Sequence, residues 1–284
     1  MPRWWPAPAK LNLYLHVTGR RDDGYHLLDS LVAFADIGDR VAAEPAPQLS
    51  LAIEGPFADG LAKDDPGNLV WRAATALAER RGRKADVALT LEKNLPIASG
   101  IGGGSSDAAA TLRALAALWH IDDDALLAEV GARLGADVPV CLAARASWLG
   151  GIGERVEPAL ALPTAPIVLV NPNIALPTPG VFKARRGPFS VPARFTNATH
   201  DVRELAALLA ERRNDLTEAA ITQVPAIAAI IEKLAGCDGN LLARMSGSGA
   251  TFFGLFASAA QAQAAAQSLR SAQPGLWVAA GALV

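Results

Sequence analysis

Residues 9–17 alternate strictly: Leu11, Leu13, Leu15 and Val17 fall on one face of an extended segment, and Lys10, Asn12, Tyr14 and His16 on the other. Side chains two residues apart share a face of a strand, so the pattern predicts a half-buried strand with a polar face. A turn at residues 20–24 follows, then Tyr25, His26 and an apolar run over 27–34 suited to a second strand. Leu49, Leu51 and Ile53 alternate in a short strand, and Leu69, Ala73, Ala76 and Leu77 recur at helical spacing within residues 68–80. Val87, Leu89 and Leu91 mark another strand. Ala108, Leu112, Leu115 and Trp119 predict a helix that opens as a run of glycines ends, and a further helix over 125–134 leads into Gly135-Ala-Asp137-Val-Pro139.

Beyond about residue 153 the chain becomes richer in proline. There the pattern predicts a strand at 167–170, a loop at 171–179, and helices at 201–211 and 225–235, the second with proline in its first turn. A Ser-Gly-Ser-Gly turn precedes an apolar strand within 245–256, and an Ala-rich helix and a strand at 276–284 close the chain. Strands and helices alternate in both halves without an internal repeat. The expected fold class is α+β in two domains, residues 1–152 and 153–284.

Composition narrows the class of function. With 284 residues, 51% of them hydrophobic and 19% charged, the chain can build a sizeable core, which excludes disorder as its main theme. Lys plus Arg number 26 against 28 Asp plus Glu, a net charge of −2, whereas a non-specific nucleic-acid binder gains affinity by neutralising phosphates. Cys141 and Cys237 lack metal-ligand spacing and read as small hydrophobes in a reducing compartment. No apolar run reaches the roughly 18 residues that span a bilayer, and the N-terminus lacks the apolar stretch of a signal peptide. The expectation is a soluble, cytoplasmic protein with neither nucleic acid nor membrane as partner.

The richest segment for chemistry is Leu95-Pro-Ile-Ala-Ser-Gly-Ile-Gly-Gly-Gly-Ser-Ser-Asp107, with four glycines in five positions between a strand and a helix. Backbone without side chains lets N–H groups approach phosphate oxygens, and the helix dipole adds positive potential. Ser105 and Ser106 stand where they cap the helix, bind a phosphate or reach a Mg²⁺ ion. No lysine follows the glycines as a Walker A loop requires, and Ser105 stands where the dinucleotide fingerprint needs its third glycine. Neither a hydrolase elbow around Ser105 or Ser248 nor a histidine metal set is present. On their own residues, Lys10 reads as a solvated surface group, Asp137 as a turn Asp bonding its own backbone, Asn68 as a helix cap and Lys93 as a strand end. Tyr25, His26 and Phe182 read as ordinary core or surface aromatics. Ser248 reads as part of a tight turn.

Residues 96–109 resemble the signature of the GHMP kinases, the small-molecule kinases of galactose, homoserine, mevalonate and phosphomevalonate, apart from one extra glycine in Gly102-Gly103-Gly104. Pro8-Ala-Lys-Leu-Asn12, Asp23-Gly-Tyr-His26, Leu134-Gly-Ala-Asp-Val-Pro139 and Ser246-Gly-Ser-Gly-Ala250 extend the resemblance, in order, along most of the chain. They look like the branch of that family whose alcohol substrate is a methylerythritol linked to cytidine diphosphate, in non-mevalonate isoprenoid synthesis. One departure is Ala98-Ser99, where many members carry further glycines, which makes the first half of the loop less pliant.

The resemblance implies an N-terminal ATP-binding domain like domain 2 of ribosomal protein S5, a ferredoxin-like C-terminal domain, and a site between them. It implies ATP-dependent, Mg²⁺-requiring phosphorylation of the 2-hydroxyl, by a monomer or weak homodimer. ATP contacts fall to Pro96, Ala98, Ser99, Gly100, Ile101, Gly102, Gly103, Gly104, Ser105 and Ser106, with Asn68 and Lys93 near the adenine. Lys10 becomes the cation beside the transferred phosphoryl group and Asp137 the base at the acceptor hydroxyl. Asn12 helps hold the substrate, Tyr25 and Phe182 sandwich cytosine, His26 reads its edge and Thr178 is a polar contact nearby.

Overall fold

The computed structural model describes residues 2–61 and 67–284. The chain opens with strands β1 (Trp4–Arg20), β2 (His26–Pro45) and β3 (Ser50–Glu54), helix α1 (Leu69–Arg80) and strand β4 (Val87–Glu92). Helices α2 (Gly103–Leu118), α3 (Asp124–Leu134) and α4 (Val138–Ala143) follow, then strands β5 (Ser147–Gly150), β6 (Arg155–Pro158) and β7 (Ala165–Asn171). The remainder is α5 (Thr178–Ala184), α6 (Val202–Ala210), α7 (Thr217–Gln223), α8 (Ala228–Ala235), β8 (Asn240–Met245), β9 (Phe252–Phe256), α9 (Ala259–Ala272) and β10 (Trp277–Leu283).

Two compact units emerge, each assembled from separate stretches of chain rather than from one run on either side of residue 152. The first comprises residues 1–9, 38–97 and 102–144; the second comprises 10–37, 98–101 and 145–284. Strands β1 and β2, 17 and 20 residues long, each contribute residues to both.

In the first unit β4 pairs antiparallel with the end of β2 and parallel with β3. A parallel neighbour needs a crossover, which α1 supplies between β3 and β4. Asn68 caps α1 by accepting from the Val70 N–H at 2.9 Å. The helix buries Val70, Ala73, Ala74 and Leu77, the face that the periodicity predicts.

In the second unit β8, β9, β7 and β10 form an antiparallel ladder in that spatial order, and β2 carries β5 and then β6 on it. Helices α8 and α9 pack on this ladder around Met245, Phe252, Phe256 and Leu234. A sheet with helices on one face is the layered solution expected of an α+β chain.

Four sequence expectations change. Strand β1 is buried on both faces from residue 9 to residue 17, because the row of Lys10, Asn12, Tyr14 and His16 is covered and hydrogen-bonded instead of meeting water. The expected loop at 171–179 gives way at Thr178 to helix α5, which carries Phe182; Pro179 sits in its first turn, where a missing N–H costs nothing. Helix α2 starts inside the glycine run, at Gly103, rather than after it. Cys237 is half-buried, whereas Cys141 is buried as expected; neither forms a disulfide. Among the described residues, no helix is long and apolar enough to cross a membrane.

Candidate active site

The glycine loop leaves β4 and turns through three left-handed residues, Ala98 at φ 53°, Gly100 at φ 76° and Gly102 at φ 65°. The stretch that belongs to the second unit, residues 98–101, is stitched down along its carbonyls. Ser99 O accepts from the Thr251 N–H at 3.1 Å and the Thr251 hydroxyl at 2.6 Å, Gly100 O from the Ser246 hydroxyl at 3.2 Å, and Ile101 O from the Lys10 N–H at 2.9 Å. A Cβ on Gly100 would fall on the Gly249 carbonyl, so both its left-handed φ and this close approach require glycine.

In the first unit Gly102 is the left-handed N-cap of the 16-residue α2, and no side chain caps the helix. The amides of Gly103, Gly104 and Ser105 therefore open the helix without an intrahelical carbonyl, at the positive end of its dipole. Ser106 is used differently: its N–H closes the first helical bond onto Gly102 O at 2.8 Å, and its buried hydroxyl donates to Pro8 O at 2.7 Å.

Lys93 is buried, and its ammonium lies 2.5 Å from Asp39 Oδ2 and 2.7 Å from Asp107 Oδ2. The β2–β4 register pairs Arg40 with Glu92, so one step further along the ladder Asp39 meets Lys93. Burial pushes the Asp107 carboxyl up to about 8; the Lys93 ammonium pulls it down, and the Asp39 charge adds to the rise. Asn68 serves α1 as its cap, the structural reading of that residue.

Along β1 in the second unit the polar row is a connected network. Asn12 donates twice: its backbone N–H to Ser246 Oγ at 3.1 Å, and its side-chain amide to Ser30 Oγ at 2.8 Å. Ser30 donates to Tyr14 O, and the Tyr14 hydroxyl donates to Asp29 Oδ2 at 2.8 Å. Burial, then Asp29, raises Tyr14 far above the ordinary phenol range. His16 Nδ1 meets Val191 O at 3.0 Å, and Lys10 heads the row, 5% exposed. In the first unit Asp137 stands at the N-cap position of α4, yet its side chain makes no capping bond to that helix.

The remaining candidates lie in the second unit. His26 stacks on Phe182 with ring centroids 5.3 Å apart at 28°. Burial, followed by the charges of Arg20 and Arg185, holds His26 below its usual value, so the ring is neutral at neutral pH. Tyr25 is 60% exposed beside them in sequence, and the Thr178 and Ser248 hydroxyls lie 2.8 Å apart.

Residues 68–145 match the GHMP kinases N terminal domain and residues 195–275 the GHMP kinases C terminal domain. A 4-diphosphocytidyl-2-C-methyl-D-erythritol kinase of Paramagnetospirillum magneticum is 52% identical over 98% of this chain and 97% of its own length. The kinase of that name from Cereibacter sphaeroides is 56% identical, covering 96% of both chains. The chain belongs to the 4-diphosphocytidyl-2-C-methyl-D-erythritol kinase family. A crystal structure titled 4-(cytidine 5'-diphospho)-2C-methyl-D-erythritol kinase superposes with a TM-score of 0.82 at 36% identity, over 99% of each chain.

As a GHMP kinase of this family the chain is a small-molecule kinase that uses ATP. Its fold unites Asn12, Ser246 and Gly100 around one hydroxyl, His26 with Phe182, and Thr178 with Ser248. Asp39 and Thr251 escape the sequence reading, and so do the bonds of the Ser246 hydroxyl. Ser246 sits in a quoted motif and was legible there; Asp39 gives no local signal, because its partner Lys93 lies 54 residues away.

Proposed function

We propose that this chain transfers the γ-phosphoryl group of ATP to the 2-hydroxyl of 4-diphosphocytidyl-2-C-methyl-D-erythritol, giving the 2-phosphate and ADP. The observation that carries the reading is the start of α2, where the amides of Gly103, Gly104 and Ser105 open a long helix with no side-chain cap, after a loop that matches the kinase signature apart from one extra glycine and the Ala98-Ser99 departure. The cytidine half is supported by the names of relatives sharing more than half of their residues with this chain, and by the His26–Phe182 stack. The loop residues Pro96, Ala98, Ser99, Gly100, Ile101 and Gly102 shape the approach to those amides.

In this reading the acceptor hydroxyl oxygen bonds to the γ-phosphorus as the bond to the ADP oxygen breaks, in line. Asp137 orients the hydroxyl and receives its proton, while Lys10 offsets the charge on the transferred group. Among the described residues, no group of three His, Cys, Asp or Glu is placed to hold a metal. Mg²⁺ keeps several waters and phosphate oxygens as ligands, so a single protein hydroxyl fits it, and Ser105 in the first turn of α2 is the one that would hold it. When bound it neutralises phosphate charge. Tyr25 and Phe182 take the cytosine faces, His26 its edge, and Asn12 and Thr178 the polar groups that follow. Cytoplasmic residence and a monomer or weak homodimer belong to the same reading.

The test is an ADP-release assay across candidate alcohols, with and without Mg²⁺. Turnover confined to the cytidine-linked alcohol and dependent on Mg²⁺ is expected. Equal turnover of mevalonate or homoserine would overturn the assignment.

A further inference from the structure

Asp39, Lys93 and Asp107 bury two carboxylates and one ammonium side by side in the first unit, each at most 4% exposed. Taking such charges out of water is costly, and apolar side chains of equal volume would fill the space more cheaply. The geometry shows what the arrangement does instead. Asp39 accepts with both oxygens: Oδ2 from the Lys93 ammonium, Oδ1 from the backbone N–H groups of Asn94 at 2.5 Å and Leu95 at 2.7 Å, where the chain enters the glycine loop. Asp107 lies on α2, where the chain leaves that loop, and its Oδ2 takes a second proton of the same ammonium. Between them, a Cβ on Gly103 would stand 3.2 Å from Lys93 Nζ and 3.7 Å from Asp39 Oδ2, so the first turn of α2 rests directly on the ion cluster.

We propose that Asp39, Lys93 and Asp107 are positioning residues for nucleotide binding: one buried ammonium ties the entry of the glycine loop to the helix at its exit, and so holds the helix-opening amides in place before ATP arrives. The inference rests on the kinase reading only for the identity of the ligand. It assigns unequal weights to the two carboxylates. A carboxylate accepts on two oxygens and an amide on one, so Asp39→Asn must turn an NH₂ toward either the ammonium or the Asn94 and Leu95 N–H groups. Asp107 Oδ1, by contrast, has no hydrogen-bond partner among the described residues, and Asp107→Asn sets its NH₂ there without opposing a donor. The raised Asp107 carboxyl agrees, because the neutral acid is the form that Asn imitates.

The experiment measures ATP affinity by calorimetry, KM for the alcohol, thermal unfolding, and amide hydrogen exchange over residues 94–106 in protein free of nucleotide. Asp39→Asn is expected to weaken ATP about tenfold, the effect of one buried polar group left opposed. It should also speed exchange over 94–106 while the alcohol KM stays within about twofold. Asp107→Asn should bind ATP within about threefold of wild type, both bounds being under one tenfold step. Should Asp39→Asn not fold, Asp39→Asn with Lys93→Met removes that ion pair, leaves no uncompensated ammonium and leaves the buried Asp107 to take up a proton as the neutral acid, and it should weaken ATP as the single variant would. Unchanged ATP affinity and exchange in folded Asp39→Asn, or in the double variant, overturns the proposal, and so does an equal loss in ATP affinity and alcohol KM that follows the fall in melting temperature. Wild-type protein that binds no ATP while the exchange difference persists would overturn the kinase reading and leave the clamp standing.

Discussion

The glycine loop and the His26–Phe182 region are built on opposite plans. Around the loop, carbonyls of Ser99, Gly100 and Ile101 are each tied to a named donor, and the charges nearby are buried and mutually paired. Around His26 the aromatic Tyr25 is 60% exposed, the ring stack is half-buried, and the turn before it is held by Arg20 Nε donating to Gly24 O at 3.1 Å. Phosphate oxygens are bound by amides that must already point at them, so rigidity there lowers the cost of binding. A base offers a flat face that stacks on side chains able to adjust, with its edge left for selection.

The comparison breaks most visibly at the loop. Gly104→Val adds a branched side chain whose Cβ, among the described residues outside its own helix backbone, meets Leu69 Cδ1 alone, at 3.4 Å, so the fold should survive while ATP binding disappears by calorimetry. Intact ATP affinity in the folded variant would make the loop a connector. If both regions only hold substrates, the chemistry falls to Lys10 and Asp137. Asp137→Asn should then lower turnover by about 10²- to 10⁴-fold with little change in either KM. Because a loose transition state keeps the proton on the hydroxyl until late, a value near the lower end would mark Asp137 as mainly an orienting group. Lys10→Ala should fall similarly, and the double variant should be little worse than the poorer single one; strictly additive losses would show that the two do not act together.

Smaller effects sharpen the other side. Phe182→Ala should raise KM for the cytidine alcohol by the equivalent of about 1–3 kcal/mol and leave ATP affinity alone, with CMP a better competitor than UMP in the wild type. Equal inhibition by the two nucleotides would remove cytosine reading from this region. His26 supplies a pH test. Its folded value is held below 6.5, so the folded state binds fewer protons than the unfolded chain just below that pH. The neutral ring therefore contributes fully above 6.5 and is lost as the pH falls through the folded value. KM for the alcohol should be flat above 6.5 and rise below it, and His26→Gln should flatten that limb. The smallest effect returns to the loop: Ala98 holds φ 53°, a conformation that costs a side-chain-bearing residue about 1–2 kcal/mol, partly offset by the entropy a glycine adds to the unfolded chain. Ala98→Gly should thus raise stability by up to about 1 kcal/mol in chemical denaturation.

Much of this was legible along the chain, for a local reason. Period-two alternation marks β1 and β4, helical spacing marks the buried face of α1, and the glycine run marks a helix start because residues without a Cβ take its left-handed turns without steric cost. Short elements such as α4, α5 and α7 were not legible, since six or seven residues with proline or few apolar positions carry too little periodicity.

The sequence by itself determined which residues share a strand or helix face and where glycines free the backbone to turn left-handed, because both follow from dihedral sterics and periods of a few residues. Only the tertiary structure decided what lies across those faces. Alternation put Lys10, Asn12, Tyr14 and His16 in one row, but their burial depends on Ser30, Asp29, Val191 and Ser246 arriving from distant parts of the chain. Lys93 looked like a strand end until the β2–β4 register brought Asp39 to it and α2 brought Asp107. A charge is a surface group or a buried clamp according to what desolvates and pairs it, and that is set by packing between segments far apart in the chain.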